Sequence, residues 1–147
     1  MDFYQVTPPP EPHLGHGESV LIVDGVREQQ EMAIKIFSKI GYSVHAVGSG
    51  EEALAYLRRN LVGLLIVDML MERGTDGLET YRQALRICPG HKAIIATGFS
   101  DTVQMQESQR LGAGACLKKP YLRSELRQAV RTELDRRSSR PGLLTNG

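Results

Sequence analysis

The sequence has no long apolar segment and few cysteines. Its apolar runs fall far short of the roughly 20 residues that a membrane-spanning helix needs. Prolines and histidines stand near the N-terminus where a signal peptide would have its apolar core. Cys88 and Cys116 are far apart and form no Cys-x-x-Cys pair, which favours two reduced thiols over a disulfide. We therefore expect a cytoplasmic protein that makes no contact with a membrane.

The chain also lacks tryptophan and any marked excess of charge. Its 18 lysines and arginines nearly balance its 17 aspartates and glutamates, for a formal net charge of +1. Nucleic-acid-binding proteins concentrate basic residues on one face, whereas these are mostly dispersed. The arginines near the C-terminal end are explained more simply as complements to the end of a helix. We expect no nucleic-acid partner.

What is present is the composition of one ordinary globular domain. The 147 residues are 41% hydrophobic and 24% charged, which is enough for a proper core. Residues 1–17 include three consecutive prolines and predict a flexible leader or linker. Residues 137–147 predict a flexible tail. The domain itself is predicted over residues 18–136.

Strand and helix patterns alternate five times within this domain. Near-continuous aliphatic runs at residues 20–23, 64–67 and 93–96 are typical of central parallel strands covered on both faces, and the more polar segment 42–47 indicates an edge strand. The predicted strands cover residues 19–24, 42–47, 63–68, 92–97 and 114–118. Five strand–helix units with right-handed crossovers predict an α/β, doubly wound, flavodoxin-like parallel sheet in the order 2-1-3-4-5, with five helices.

Capping residues and apolar stripes predict where several helices lie. Ser49 with Glu52, and Asp76 with Glu79, predict the N-terminal caps of the second and third helices. Apolar residues at helical spacing predict the buried faces of the first and last helices. These residues are Met32, Ala33, Ile36, Phe37 and Ile40 in the first helix, and Leu122, Leu126, Ala129, Val130 and Leu134 in the last.

Polar side chains follow the predicted strands at the edge where open α/β sheets place their chemistry. Asp24 follows the first strand, Asp68 the third, Thr97 the fourth and Lys119 the fifth. In the order 2-1-3-4-5 the first and third strands are neighbours, so Asp24 and Asp68 would meet in one crevice. Two acids, a hydroxyl and a lysine at one edge predict a phosphate and metal site.

The order and identity of several short motifs add a family resemblance. Together they cover about residues 18–135, and the combination is far more specific than any one of them. The motifs are Leu21-Ile22-Val23-Asp24, Gly41-Tyr42, Ser49-Gly50-Glu51-Glu52-Ala53-Leu54, Val67-Asp68, Asp76-Gly77-Leu78-Glu79, Ala96-Thr97-Gly98, Leu111-Gly112-Ala113 and Lys119-Pro120-Tyr121. With them the chain resembles a receiver domain of two-component signalling, the phosphoacceptor module of response regulators and hybrid histidine kinases.

The resemblance implies a phosphoacceptor site centred on Asp68. This residue would take a phosphoryl group from the phosphohistidine of a histidine kinase or a histidine phosphotransfer domain, and Thr97 and Lys119 would bind phosphoryl oxygens. Mg²⁺ would be held by Asp24, Asp68 and the backbone carbonyl of Leu70. These roles agree with phosphoryl transfer, which depends on positioning and charge neutralisation, and with the preference of Mg²⁺ for oxygen ligands.

The resemblance carries further expectations. The peptide bond before Pro120 is expected to be cis, which would aim Lys119 into the crevice. The chain would be a signalling domain and not an enzyme, and phosphorylation would switch its partner interactions. A homodimer through the fourth helix, fifth strand and fifth helix is a further expectation. The segment Met71-Glu72-Arg73-Gly74-Thr75 resembles receivers at the C-terminal end of bacterial hybrid histidine kinases.

Two positions depart from the family pattern. Gly25 stands where the family has a second acid that binds the metal, so we expect weak Mg²⁺ binding; Glu28, one helical turn further on, is a candidate for compensation through water. Cys116 replaces the switch aromatic of the fifth strand and cannot make its large rotameric swing. The switch would then depend on the Thr97 loop, the fourth helix and Tyr121, with Cys116 as a small buried side chain.

Two alternative functions stay open. Gly25 and Cys116 allow a pseudo-receiver, a binding module of the same fold that is not phosphorylated. More remotely, Gly48-Ser49-Gly50-Glu51-Glu52-Ala53 fits a dinucleotide-binding fingerprint. Glu51 and Glu52 count against a dinucleotide, because they place negative charge where a pyrophosphate would bind. Too little chain follows the motif for a substrate domain.

Overall fold

The computed structural model describes residues 15–69, 76–97, 102–114, 116–119 and 121–136. Strands and helices alternate along these residues without exception. In chain order they are β1 (Ser19–Val23), α1 (Arg27–Lys39), β2 (Ser43–Val47), α2 (Gly50–Leu57), β3 (Leu64–Asp68), α3 (Gly77–Ile87), β4 (Ala93–Thr97), α4 (Thr102–Arg110), β5 (Cys116–Lys118) and α5 (Arg123–Asp135).

The five strands form one parallel sheet in the order β2-β1-β3-β4-β5. This confirms the predicted topology and the edge position of β2. The strand bounds agree with the predicted ones to within two residues, because the central strands are aliphatic runs buried on both faces. Every residue of β3 and β4 is buried. The order makes β1 and β3 neighbours, which is the arrangement that the predicted site requires.

Helices cover both faces of the sheet and divide the core into two clusters. Phe37 of α1 and Val130 of α5 pack on one face with Ile22 and Ile66 of the sheet. On the other face α2, α3 and the α4–β5 connection pack against side chains such as Leu21. The parallel sheet is therefore enclosed on both sides, and only its edges and strand ends are left for function.

The apolar stripes of α1 and α5 are narrower than predicted. Ala33 and Phe37 face the sheet, but Met32 is 57% exposed because it lies to the side of the α1–sheet contact. Leu122 is 66% exposed because it stands at the N-cap of α5, before the first helical turn. Both residues were wrongly predicted to belong to the core. Within the described part of the chain, no helix is both long and apolar enough to cross a membrane.

The predicted helix caps are formed by side chains. Asp76 Oδ1 accepts a hydrogen bond of 2.9 Å from the backbone N–H of Glu79, and Ser49 Oγ accepts one of 3.2 Å from that of Glu52. The return bond at α2 differs from a strict capping box, since the Glu52 carboxylate accepts from the N–H of Gly48 and not from that of Ser49. Both caps fix where the helices begin.

Candidate functional site

The two predicted acids lie side by side where β1 and β3 end. Val23 pairs with Val67 in the parallel ladder, so the residues that follow, Asp24 and Asp68, emerge at the same edge of the sheet. Both residues are buried, at 7% and 8% exposure. The backbone N–H of Asp24 is held by Val47 of the neighbouring strand. The sheet thus brings together two carboxylates that are 44 residues apart in the sequence.

Lys119 joins both carboxylates from the end of β5. Its Nζ lies 3.2 Å from Asp24 Oδ2 and 3.1 Å from Asp68 Oδ2. Thr97 ends β4 next to it, and the Thr97 carbonyl accepts a 2.7 Å hydrogen bond from the backbone N–H of Lys119. Asp24, Asp68 and Lys119 are therefore in direct contact, and Thr97 ends the strand beside Lys119. Two carboxylates would repel each other across the crevice, and the ammonium group neutralises much of that repulsion.

The charges of this site change the titration of its members. Burial by itself would lower the pKa of Lys119, but the nearby carboxylates of Asp68 and Asp24 outweigh burial and raise this pKa above its usual value. Burial also raises the pKa of the Tyr121 hydroxyl, and the Lys119 ammonium acts against that increase. Lys119 is therefore a firmly held cation throughout the physiological pH range.

Two glutamines of α1 also contact the site, and the sequence patterns did not predict them. Gln29 Oε1 accepts a 2.6 Å hydrogen bond from Lys119 Nζ. Gln30 Nε2 donates a 2.6 Å hydrogen bond to the backbone carbonyl of Asp24. Asp24 Oδ1 in turn accepts from the backbone N–H of Val26, which fixes the orientation of this carboxylate. A glutamine in the first turn of an exposed helix carries no recognisable motif, and only the fold reveals these contacts.

The space around the two acids consists of a crevice and a wider groove. The crevice between Asp24, Asp68 and Lys119 has a volume of about 20 Å³, enough for one water-sized group. Lys119, Tyr121 and Gln29 also line a groove of about 380 Å³ between α1 and the start of α5. The groove makes the site accessible from the α1 side.

Thr97 ends β4, and Cys116 begins the neighbouring strand β5. Thr97 is 1% exposed at the end of β4. Cys116 is half-buried, packs against the cluster on the α2–α3 face, and pairs with Ile95 in the ladder. Burial raises the pKa of its thiol, which makes it a poor nucleophile at neutral pH. The structure thus agrees with the simpler role of Cys116 as a small apolar side chain.

The donor set fits a magnesium ion that is held by few protein ligands. Asp24 Oδ2 and Asp68 Oδ2 share one cation, the Lys119 ammonium, and Mg²⁺ is commonly held by one or two carboxylates together with substrate oxygens and water. Within the described residues, no third histidine, cysteine or acid joins them in a metal-binding group. Leu70 and Pro120, the predicted carbonyl ligand and cis-proline, lie outside the described residues.

Similarity to known proteins decides the family. Residues 20–131 match the profile of the family described as "Response regulator receiver domain". The chain belongs to this receiver family. The chain is 30% identical to sporulation initiation phosphotransferase F of Bacillus subtilis over an alignment of 122 residues. This alignment covers 83% of this chain and 98% of that protein. Its alignment with the C4-dicarboxylate transport transcriptional regulatory protein DctD of Rhizobium meliloti, at 29% identity, covers 81% of this chain and 26% of DctD.

Solved structures agree with this assignment. The CheY-like receiver domain protein of Methanospirillum hungatei superposes with a TM-score of 0.77 at 26% identity, covering 81% of this chain and 94% of that one. Chemotaxis protein CheY4 of Vibrio cholerae, at 23% identity, shares the fold with a TM-score of 0.74 over 80% of this chain and 98% of its own. The alignment with this chain therefore covers nearly the whole length of these two proteins. By contrast, it covers only about a quarter of DctD.

The family assignment replaces the dinucleotide-binding alternative. In the receiver domain, the Glu52 carboxylate accepts the backbone N–H of Gly48, a donor that a bound pyrophosphate would need. Glu51 and Glu52 both lie in the first turn of α2 and add negative charge there. The N-terminal end of this helix therefore repels phosphate groups.

Proposed function

We propose that Asp68 is the phosphoacceptor of this receiver domain in a two-component phosphorelay. The observation that carries the proposal is the shared ion pair, in which Lys119 Nζ lies 3.1 Å from Asp68 Oδ2 and 3.2 Å from Asp24 Oδ2. Phosphoryl transfer needs an oxygen nucleophile beside positive charge. Asp68 supplies the nucleophile, and Lys119 supplies part of the charge.

The proposed transfer is a direct displacement at phosphorus. An Asp68 carboxylate oxygen forms a bond to the phosphorus of a phosphohistidine, the P–N bond breaks, and its electron pair stays on the imidazole nitrogen. Lys119 pairs with one phosphoryl oxygen and the Thr97 hydroxyl donates a hydrogen bond to another. Mg²⁺, held by Asp24 and Asp68, would supply further positive charge next to the phosphoryl oxygens.

The proposed donor is a histidine kinase or a histidine phosphotransfer domain. The groove beside the acids is lined by exposed Met32 together with Tyr121 and Leu126, so it gives a donor protein an apolar surface next to Asp68. Since apolar patches beside a reactive site are typical docking surfaces, the α1 side is the proposed approach. Replacement of the Asp68 carboxylate by the more highly charged acyl phosphate would then alter the contacts of Lys119 and Thr97 and signal phosphorylation.

Acetyl phosphate with Mg²⁺ tests this function directly. We expect intact-mass measurement to show one added phosphoryl group on the wild-type chain and none on Asp68→Asn. Asp135→Asn, which changes an exposed acid of α5, is expected to react like the wild type. If neither acetyl phosphate nor the partner kinase modifies the wild type, the protein is a pseudo-receiver, an alternative that Gly25 favours because it removes one acid from the site.

A more specific proposal concerns the protein that contains this receiver domain, which we propose is a hybrid sensor histidine kinase. It is supported by the resemblance of residues 71–75 to the corresponding segment of such receivers. The relatives include a protein of about the length of the domain and a much longer one. An immunoblot of the native protein tests this proposal: a band far above 16.3 kDa is expected, and a band near 16.3 kDa would contradict it.

A further inference from the structure

We propose that Gln29 is a positioning residue that holds Lys119 at the site while phosphorylation occupies its other partners. The inference rests on the proposed function of Asp68 and adds a residue to it. Gln29 lies in the first turn of α1, and Lys119 follows β5, 90 residues later in the sequence. Their 2.6 Å hydrogen bond is therefore a product of the fold and not of local sequence.

The Lys119 ammonium is surrounded by three oxygen acceptors. They are Asp24 Oδ2 at 3.2 Å, Asp68 Oδ2 at 3.1 Å and Gln29 Oε1 at 2.6 Å. A lysine ammonium has three N–H donors, so each donor has one acceptor. The contact with Gln29 is the shortest of the three. Gln29 is thus one of the three acceptors that hold the Lys119 ammonium in place.

Phosphorylation changes two of these acceptors and leaves the third. An acyl phosphate on Asp68 turns one carboxylate oxygen into the bridging oxygen of a mixed anhydride and the other into a neutral carbonyl oxygen, and a divalent cation at the site competes with the ammonium for Asp24 and Asp68. Gln29 Oε1 takes part in neither event. It therefore continues to hold the ammonium at the mouth of the crevice, where the phosphoryl oxygens arrive.

The neutral side-chain amide of Gln29 is suited to holding the Lys119 ammonium during phosphoryl transfer. Lysine has a flexible stem, and fixing its rotamers costs conformational entropy. An acceptor that fixes the ammonium in advance lowers this cost during transfer. A carboxylate at position 29 would also hold Lys119, but its negative charge would compete with the phosphoryl oxygens. Glu28, the residue considered above for compensation, and Gln29 are both exposed, but Gln29 lines the crevice and accepts the hydrogen bond from Lys119.

Three variants separate this role from general effects of substitution. Gln29→Met keeps the length of the side chain but removes the acceptor, and Gln29→Glu keeps an oxygen acceptor. Glu31→Gln alters an exposed acid of the same helix, away from the site, as a matched control. The measured quantity is the rate of phosphorylation by acetyl phosphate at saturating Mg²⁺. We expect a three- to tenfold loss (about one ordinary hydrogen bond, since the contact is exposed to solvent) in Gln29→Met, a smaller loss in Gln29→Glu and none in Glu31→Gln.

The decisive test is to combine Gln29→Met with Lys119→Met in a double variant. If Gln29 acts through Lys119, adding Gln29→Met to Lys119→Met causes no further loss, because the two residues form one unit. An equal loss in both backgrounds would overturn the inference. Wild-type phosphorylation that Asp68→Asn abolishes, together with an unchanged Gln29→Met rate, would refute the role of Gln29 and leave the proposed function intact.

A spectroscopic measurement covers the case in which Lys119→Met is too slow to assay. The chain has five lysines, and a ¹H–¹⁵N correlation of their ammonium groups, assigned by the peak lost in Lys119→Met, reports on Lys119 directly. We expect this peak to shift or broaden in Gln29→Met and to stay in place in Glu31→Gln. An unchanged Lys119 peak in Gln29→Met would overturn the inference.

Discussion

Gly25 leaves the crevice with two carboxylates, and the backbone around it has room for a third. A Cβ added to this residue would meet only the carbonyl oxygen of Gly48, at an ordinary contact distance of 3.8 Å. No other residue of the described chain supplies the missing acid next to Asp24 and Asp68. The departure from the family pattern therefore reduces the charge of the site and does not reflect a lack of space.

Gly25→Asp should strengthen the metal site. Because ligand charge largely sets the affinity for a hard cation, we expect the Kd for Mg²⁺ to fall by about tenfold and phosphorylation to speed up. Calorimetric titration with Mg²⁺ measures the affinity. Without metal, the added charge repels Asp24 and Asp68 and should lower the free energy of unfolding by about 1 kcal/mol. Gly25→Asn, of equal size but uncharged, should change neither quantity; equal effects of Asn and Asp would contradict this account.

At this scale the sequence predicted the charged members of the site but not its glutamines. Asp24, Asp68, Thr97 and Lys119 were predictable because parallel strands end at one edge of the sheet and each residue follows a recognisable strand. Gln29 was not, because its contact depends on the Lys119 side chain, which extends from the end of β5 to α1 past Asp68 and Asp24. Polar residues in an exposed helical turn have no periodic signal that separates a site residue from a solvated one.

At the scale of secondary-structure elements, α3 supports the site through its contact with the end of β3. Its first residue, Gly77, packs directly on the end of β3. A Cβ at this position would overlap the Asp68 carbonyl oxygen and lie 2.8 Å from Met69 Cα. The Asp76 cap fixes the start of α3 at the same place. The absence of a side chain at Gly77 thus allows the helix to support the backbone of Asp68, the proposed phosphoacceptor.

Gly77→Ala should therefore affect both stability and the site. Relief of the overlap has to move the backbone of β3 or α3, and overpacking of this kind costs about 1–3 kcal/mol of unfolding free energy. Urea denaturation measures the loss, and the rate of acetyl phosphate labelling should fall as Asp68 shifts. Gly25→Ala, where the structure has space for a methyl group, is the matched control. Equal urea midpoints for the two variants would contradict this role of Gly77.

The elements themselves were predictable wherever one pattern dominates. Aliphatic runs located the central strands, because a strand covered on both faces excludes polar residues. Helical faces were less certain: Met32 and Ile36 share the spacing of the core residues, yet they line the groove beside the site. A helix that packs on a sheet buries only a narrow stripe, and spacing alone does not locate its edges.

On the scale of the whole molecule, an ion pair connects the first strand to the last helix. Arg131 of α5 lies 2.7 Å from Glu18, which precedes β1, and 2.7 Å from Asp135 of its own helix. Burial by itself would raise the pKa of Glu18, but hydrogen bonds from Arg131 and from the backbone N–H of His16 outweigh burial and lower this pKa to about 2. The folded state therefore favours the charged form of Glu18 strongly.

This lowered pKa predicts how stability depends on pH. Because the pKa of Glu18 is lower in the folded than in the unfolded chain, its contribution is fully present above the unfolded value of 4.5 and is lost as the pH falls toward about 2. Since the Glu18 side chain is 26% exposed, we expect Glu18→Gln to cost about 1 kcal/mol of unfolding free energy at pH 6. Urea denaturation at pH 6 and pH 2.5 measures the difference between wild type and variant, which should shrink at the lower pH. Glu28→Gln removes an exposed negative charge on α1 as a control. A deficit of Glu18→Gln that is equally large at both pH values would show that Glu18 stabilises the fold by packing and not by its charge.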